Sequence, residues 1–253
     1  MKDFWKITLI ILRSFLIFVV VWGITISATK NVHKSILVEN FKSKGVYQED
    51  ISTSSTKFYK IESNEDMEAF TSDGSMIYPG KGTDILVSCQ AIVHPLINGF
   101  ISFTAGGHAA FINPNYGDYK NNFIVEDTTS IEATGLNEGK NLSDVFSTDY
   151  WATDNPYTEV IGLRVKMTDE ERREVTSICS SLIGDEYNYS FIFDTTNKSY
   201  CSDIISKAYR KIGKNLNKDG FATTIYDLIS SGDCYISYYH VYKNDVKYIY
   251  YLG

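Results

Sequence analysis

The 253-residue sequence lacks the hallmarks of several large functional classes. No stripe of lysine and arginine interrupts its main body, and the formal net charge is -7, from 24 basic against 31 acidic residues. Nucleic acid is therefore not an expected partner. A Gly-rich phosphate loop, an internal repeat and the paired-carboxylate signature of sugar-cleaving enzymes are also missing from the sequence.

Cysteine and histidine are both scarce. The four cysteines have no CxxC spacing, which does not suit a structural zinc site, and no metal or organic cofactor is expected. They do not form a disulfide framework either, although one bridge such as Cys89 to Cys179 stays open if the domain lies outside the membrane. The positions are Cys89, Cys179, Cys201 and Cys234, with His33, His94, His108 and His240.

One long hydrophobic run lies at the N-terminus, over residues 5–27, and it is uncharged from Ser14 to Ser27. This stretch is short for a full membrane span, but a flanking basic side chain can snorkel and lengthen it. Lys2, Lys6 and Arg13 all precede the apolar core, so the positive-inside rule places the N-terminus in the cytoplasm and the rest of the chain outside. A signal peptide cleaved after Ile26-Ser-Ala28 is the alternative, and the protein would then be secreted.

The chain is long enough for one well-buried domain with an appendage. We expect a transmembrane anchor or signal segment over residues 1–28, a polar stalk with local helical pieces over 29–76, and a folded domain over 77–253. The turn-rich stretch at residues 78–82 marks the start of that domain.

Hydrophobic periodicity predicts a domain that contains both strands and helices. Predicted strands cover residues 84–88, 103–112, 121–126, 130–134 and 159–166, and a hairpin spans 235–252 around Lys243-Asn-Asp245. Predicted helices run from the Thr168/Glu171 capping box to Leu182, from about Cys201 to Ile212, and over residues 224–229.

Cys201 is the residue around which the functional hypothesis is built. The apolar stripe of the helix that it begins consists of Ile204, Ile205, Ala208, Tyr209 and Ile212, with Gly213 as a stop signal. At a helix start, unpaired amides and the helix dipole favour an anion and lower a thiol pKa, as a nucleophile requires. A small apolar side chain packed at a helix start fits the same pattern.

A thiol nucleophile needs a base, and the base needs a third group to fix its tautomer. His33 lies beside the membrane segment and His240 lies in a tyrosine-rich strand, which leaves His94 and His108. His108 is favoured because it lies in a predicted strand next to glycines, whereas His94 precedes Pro95 in a loop. A core role for His108 is the alternative.

Five short pieces occur in an order that resembles a known enzyme family. The chain is similar to the circularly permuted NlpC-type papain-like hydrolases of the YaeF/YiiX branch, in which histidine precedes cysteine, the reverse of papain. The resemblance covers residues 83–231 and implies an α+β fold in which an antiparallel sheet or barrel packs against helices. Its pieces are Gly107-His-Ala, Ile131-Glu-Ala, Val160-Ile-Gly-Leu-Arg164, Ile183-Gly-Asp-Glu-Tyr-Asn188 and Tyr200-Cys-Ser-Asp-Ile204.

The resemblance implies specific roles. Cys201 matches the nucleophile, His108 the general base, and Glu132 the residue that orients the imidazole, with Glu126 as the alternative for that last role. Tyr187 matches the pocket tyrosine, and Gly107 and Tyr200 are further expected substrate contacts. Asp84 matches the Asp of the strand-opening motif, and Asp203 stands where relatives usually carry Glu.

The implied function is that of a membrane-tethered extracytoplasmic cysteine hydrolase that cleaves an amide bond, such as that of a peptidoglycan peptide. Two alternatives stay open. A lipid acyl hydrolase, acyltransferase or thioesterase would use the same fold on acyl chains near the bilayer. An inactive module would use the cleft to hold a cell-wall or protein ligand.

Overall fold

The computed structural model describes residues 2–64, 67, 83–90, 107–112, 129–133, 143–147, 151, 157–191, 197–217 and 222–253. Helix α1 (Lys2–Lys42) opens the chain and runs without a break for 41 residues. Its segment Phe4–Lys42 contains a stretch long and apolar enough to cross a membrane, and the side chains of that stretch are exposed. A signal sequence would have the same character.

The second half of α1 belongs to the folded domain. Val38 and Phe41 are buried in the core, and the helix packs against the segments Thr56–Ile61, Cys234–Lys243 and Ile225–Ser230. Strands β1 (Val46–Tyr47) and β2 (Thr56–Ile61) follow and pair with each other. Buried contacts therefore join the second half of α1, β1 and β2 to the folded domain. This part of the chain differs in that respect from the polar stalk expected over residues 29–76.

One sheet carries the domain. Beyond β1 and β2, the described strands are β3 (Ile85–Ser88), β4 (His108–Ile112), β5 (Thr129–Ala133), β6 (Ser143–Ser147), β7 (Glu159–Val165), β10 (Cys234–Lys243) and β11 (Val246–Leu252), and a separate parallel pair consists of β8 (Glu186–Tyr187) and β9 (Lys198–Ser199). Nine of the described strands form the sheet, in the order β1-β2-β11-β10-β7-β3-β4-β5-β6. All its pairs are antiparallel except β2 with β11. The order has two ends, so the described strands form an open sheet, and the barrel named as one form of the expected fold is not confirmed.

Three further helices complete the described part of the chain: α2 (Asp169–Ser181), α3 (Cys201–Lys211) and α4 (Ile225–Ser230). The capping box predicted for α2 is confirmed, since Thr168 and Glu171 bond to each other's backbone N–H. Helix α3 is confirmed as well, and it packs against β4, β5 and α2. Its apolar stripe is buried, at Ile204, Ile205, Ala208 and Tyr209.

Strand β4 separates two apolar clusters. Ala109 and Phe111 belong to the main core beneath α3, whereas Ala110 and Ile112 belong to a second cluster that contains Trp151. Because side chains alternate along a strand, His108 shares the face of Ala110. His108 is also the first residue of β4, and the start of α3 lies close to this end of the strand.

The predicted C-terminal hairpin is confirmed, with β10 and β11 in antiparallel register. Asn244 and Asp245 form its turn at φ values of 51° and 61°. Both central residues of a type I′ turn have positive φ, and Asn and Asp tolerate that conformation better than most residues.

A buried ion pair ties β3 to β7. Arg164 donates from Nε to Asp84 Oδ1 at 2.8 Å and from a terminal nitrogen to Oδ2 at 2.7 Å, and both side chains are essentially inaccessible. Asp84 precedes β3 at the end that pairs with Phe111, whereas His108 pairs at the other end with Ser88. The contact of Asp84 is therefore structural and lies away from His108.

All four cysteines are free thiols. The bridge between Cys89 and Cys179 considered from the sequence is not formed. Burial raises the pKa of Cys89, to about 12.

Candidate active site

Cys201 is the first residue of α3, directly after the N-cap residue Tyr200. The first amides of a helix have no partner within the helix, and they carry its positive dipole end. The sulfur atom of Cys201 accepts hydrogen bonds from the backbone N–H groups of Ser202 and Ala109. One amide comes from the helix and one from strand β4, so two secondary-structure elements present donors to the sulfur.

Gly107 brings the start of β4 close to the end of β3. It has a φ of +108°, and a Cβ atom at this position would lie 2.1 Å from the carbonyl oxygen of Ser88. Only glycine fits this close approach without movement of the backbone. The carbonyl oxygen of Gly107 lies 4.0 Å from Cys201 Sγ, so the structure brings this predicted substrate contact beside the sulfur.

His108 lies between Cys201 and Glu132. Its Nε2 atom is 2.8 Å from Glu132 Oε2, and the ring also makes a hydrogen bond with the thiol of Cys201. Because Nε2 is bonded to the carboxylate, Nδ1 is the nitrogen left for the sulfur. The register explains this contact: Ala110 is opposite Glu132, so His108 is its diagonal neighbour, and such neighbours are within reach of long side chains.

Glu132 is held by three donors and is only 1% exposed. Oε2 faces His108, while Oε1 accepts from the indole nitrogen of Trp151 at 2.7 Å and from the hydroxyl of Ser130. A carboxylate bonded in this way cannot turn without losing partners, so it fixes the plane of the imidazole. Glu126, the alternative from the sequence, lies outside the described residues, as do the predicted strand at 121–126 and His94.

Two aromatic rings cover the imidazole. Trp151 stacks on His108 with ring centroids 5.6 Å apart and planes 13° from parallel, and Tyr157 lies at 6.3 Å and 24°. Both side chains are fully buried. The rings exclude water from the bond between His108 and Glu132, which strengthens its electrostatic interaction.

Sequence reasoning missed these supporting residues. Ser130 could have been found, because it lies two residues before Glu132 in a predicted strand and so shares its face. Trp151 and Tyr157 belong to no predicted element and gave no periodic signal. Only the folded chain shows that they reach His108.

Electrostatics favour a charged pair at the site. Burial alone would raise the pKa of the Cys201 thiol, but the hydrogen bond and positive charge of His108, aided by the amides of Ala109 and Ser202, lower it below its usual range. Burial alone would lower the pKa of His108, but its bonds to Cys201 and Glu132 raise it to about 10. These two shifts, in opposite directions, favour transfer of the thiol proton to the imidazole and therefore a thiolate–imidazolium pair.

The remaining two predicted contacts belong to an aromatic cluster beside the sulfur, which we define as Tyr187, Tyr189, Phe191 and Tyr200. Its ring centroids are 4.8 Å apart for Tyr187 and Tyr189, and 5.3 Å for Phe191 and Tyr200. Burial, followed by the nearby charge of Cys201, raises the pKa of Tyr187, so its hydroxyl stays protonated and able to donate.

His33 and His240 make other contacts. His33 Nδ1 lies 3.3 Å from Ser230 Oγ, and His240 Nδ1 lies 3.1 Å from the hydroxyl of Tyr238. Burial lowers the pKa of His240 well below its usual value, which makes it a neutral core residue. Among the described residues, no group of three or more His, Cys, Asp or Glu side chains could hold a metal ion.

Replacing Glu132 with glutamine should narrow the pH range of any reaction at this site. Loss of the negative charge lowers the pKa of His108, so a smaller fraction of His108 is protonated. The smaller positive charge beside the sulfur in turn raises the pKa of Cys201. A pH–rate profile of Glu132→Gln should therefore show its alkaline limb at lower pH and its acid limb at higher pH than the parent. Glu186→Gln, at an exposed position, is the control and should leave both limbs in place. An unchanged profile in Glu132→Gln would show that the carboxylate does not tune the histidine.

Comparison with known proteins supplies a family for this geometry. A family model described as "permuted papain-like amidase enzyme, YaeF/YiiX, C92 family" matches residues 84–229. No curated protein and no solved structure gives a significant match.

Proposed function

Because the chain belongs to the permuted papain-like amidase family of the YaeF/YiiX type, we propose that it is a cysteine hydrolase that cleaves an amide bond with Cys201 as the nucleophile. The observation that carries this proposal is the contact of His108 with both Cys201 and Glu132. A nucleophile, a base and a group that orients the base are the minimum for thiol catalysis.

In the proposed reaction, the Cys201 thiolate attacks the amide carbonyl carbon, and a C–S bond forms as the carbonyl oxygen becomes an oxyanion. The His108 imidazolium then donates its proton to the nitrogen of the leaving amine, and the C–N bond breaks to leave a thioester. Neutral His108 next takes a proton from water, and the resulting hydroxide attacks the thioester carbonyl. The carbonyl then re-forms as the C–S bond breaks, and Cys201 leaves as the thiolate. The products are a carboxylic acid and the restored ion pair.

Backbone amides at the start of α3 support the first step. The N–H of Cys201 itself opens the helix and is the expected donor to the oxyanion, since first-turn amides are free of bonds within the helix. We assign Tyr187, Tyr200 and Gly107 to substrate contact because they border Cys201.

The proposed substrate class is an amide of the cell envelope, such as a peptidoglycan peptide. The exposed rings of the aromatic cluster favour a second candidate, an acyl-lipid substrate for a hydrolase of the same fold. Incubation of the protein with peptidoglycan fragments, N-acyl amides and phospholipid esters, followed by mass spectrometry of the products, separates these functions. Release of an amine supports the amidase, release of fatty acid from esters supports the alternative, and binding without turnover would indicate an inactive ligand-binding module.

We further propose that α1 is an uncleaved single-pass anchor with the catalytic domain outside the cytoplasm. Ser27, beside the candidate cleavage site, is 7% exposed, and the helix continues through Ala28 into the buried segment. Cleavage there would require unwinding of α1 from its contacts.

The intact mass of the protein purified from membranes should therefore include residues 1–28. Protease added outside intact cells should reach the domain but leave the N-terminus protected. A mature mass that begins at residue 29 would contradict the anchor and indicate a secreted form.

A further inference from the structure

Helix α1 has no hinge between its apolar half and its docked half. The apolar stretch ends near Ile26, and Lys30 lies four residues later, about 6 Å along the axis of a helix. Lys30 Nζ is 3.0 Å from Asp227 Oδ1, and Asn31 Oδ1 accepts from the hydroxyl of Tyr226 at 2.9 Å. The end of the apolar stretch is therefore fixed to the start of α4.

The start of α4 is in turn bonded to the start of α3. Asp227 accepts from the backbone and hydroxyl of Thr224, and the carbonyl of the preceding residue, Thr223, accepts from Ser202 Oγ at 2.6 Å. Tyr200 also makes hydrogen bonds with Thr223. Cys201 lies between Tyr200 and Ser202, so a short series of direct contacts connects the apolar end of α1 to the sulfur.

The series of contacts from α1 continues through Tyr200 to the exposed rings of the aromatic cluster. Tyr200 packs on Phe191, Phe191 packs on Tyr187 at 5.8 Å, and Tyr187 packs on Tyr189. Tyr189 is 61% exposed and Phe191 is 44% exposed. Phe191 also has a φ of +54°, a conformation that is unfavourable for a residue other than glycine and that persists only where the surrounding structure holds it.

We propose that this face is a membrane-contact surface, on which Tyr189 and Phe191 lie in the headgroup region of the bilayer that α1 spans. Tyrosine favours this region because its ring is apolar while its hydroxyl stays in water, and a phenyl ring such as that of Phe191 suits the apolar side of the same interface. This contact places the opening of the site at Cys201 against the membrane surface and not in the surrounding solution. The proposal rests on the anchoring proposed above, and it names the bilayer as the partner of the aromatic cluster.

Fluorescence quenching by brominated lipids tests this contact in the full-length protein. The background variant carries Trp5→Phe and Trp22→Phe, which leaves only the buried Trp151. Phe191→Trp or, in a separate protein, Tyr189→Trp is added to it. Each is reconstituted into phosphatidylcholine–phosphatidylglycerol vesicles whose acyl chains are brominated near the headgroup end, and its emission is compared with that in unbrominated vesicles.

Tyr47→Trp in the same background is the matched control. Tyr47 is 44% exposed, like Phe191, but it follows the far end of α1, and Lys42 is already about 24 Å along the helix from Ile26. If the face contacts the membrane, brominated lipid quenches the tryptophan emission added by Phe191→Trp and Tyr189→Trp, and it does not quench the emission added by Tyr47→Trp.

The tryptophan emission of the parent protein separates the anchor proposal from the proposed membrane-contact surface. Quenching of Trp5 and Trp22 in the parent supports the anchor whatever the cluster does. Quenched Trp22 with unquenched Phe191→Trp and Tyr189→Trp would overturn the membrane-contact surface alone. If their emission instead shifts with protein concentration and without lipid quenching, the face binds a second copy, which also overturns the proposal. No quenching of Trp5 and Trp22 would overturn the anchor and the surface together.

Discussion

Substitution of Cys201 by alanine is expected to abolish amide hydrolysis, with turnover lower by roughly 10⁵-fold or more, as for loss of a nucleophile in other acyl-transfer enzymes. His108→Ala should approach the same loss, because the thiolate and the proton donor act as one unit and His108 is the main group that lowers the pKa of Cys201. The double variant should be little worse than either single variant. The measurement is amine release from whichever amide in the panel the parent protein cleaves.

Cys234→Ala is the control for Cys201→Ala. Its thiol is also partly buried, but burial raises its pKa to about 12, and it lies at the start of β10. This variant should keep parental turnover. Full activity in Cys201→Ala would remove the thiol from the mechanism.

Substitution of Asp84 by alanine is expected to cost about 3–5 kcal/mol of the free energy of unfolding, because it leaves the Arg164 guanidinium buried without its counter-charge. The loss is structural, so the folded fraction of Asp84→Ala should keep the reactivity of Cys201. The measurement is denaturant unfolding of the full chain in detergent, with the pH dependence of Cys201 alkylation as a second readout.

An exposed ion pair supplies the comparison. Lys198 and Glu186 are close, but their side chains are 49% and 60% exposed, so Glu186→Ala should cost less than about 1 kcal/mol. Replacing both Asp84 and Arg164 with apolar residues of similar size should recover much of the stability lost in Asp84→Ala. Equal costs for Asp84→Ala and Glu186→Ala would show that burial does not determine the strength of this pair.

Local patterns were sufficient to predict most elements that bear the site. The stripe from Ile204 to Ile212 placed α3 and put Cys201 at its start, and the Thr168/Glu171 capping box placed the start of α2. These features depend on residues three or four apart, so a sequence displays them directly. The order of five short pieces, among them those that contain His108, Glu132 and Cys201, then suggested the family that the comparison shows.

Contacts between distant residues were not predictable in the same way. Trp151 bonds to Glu132 and stacks on His108, but nothing near Trp151 in the sequence indicates either partner. The role of residues 29–64 was also missed, because their polar composition hides the pairing of β2 with β11, which joins positions almost 200 residues apart. Such contacts depend on the whole sheet and leave no periodic signal.

Alkylation of the full-length protein by iodoacetamide across a range of pH tests directly whether His108 activates Cys201 as a thiolate. Peptide mapping gives a separate rate for each of the four cysteines. We predict that Cys201 reacts well below the pH at which an ordinary thiol ionises, while burial keeps Cys89 and Cys234 unreactive there, and that His108→Ala moves the Cys201 profile to higher pH. A Cys201 profile that matches the profiles of the other cysteines, or that His108→Ala does not change, would contradict this activation.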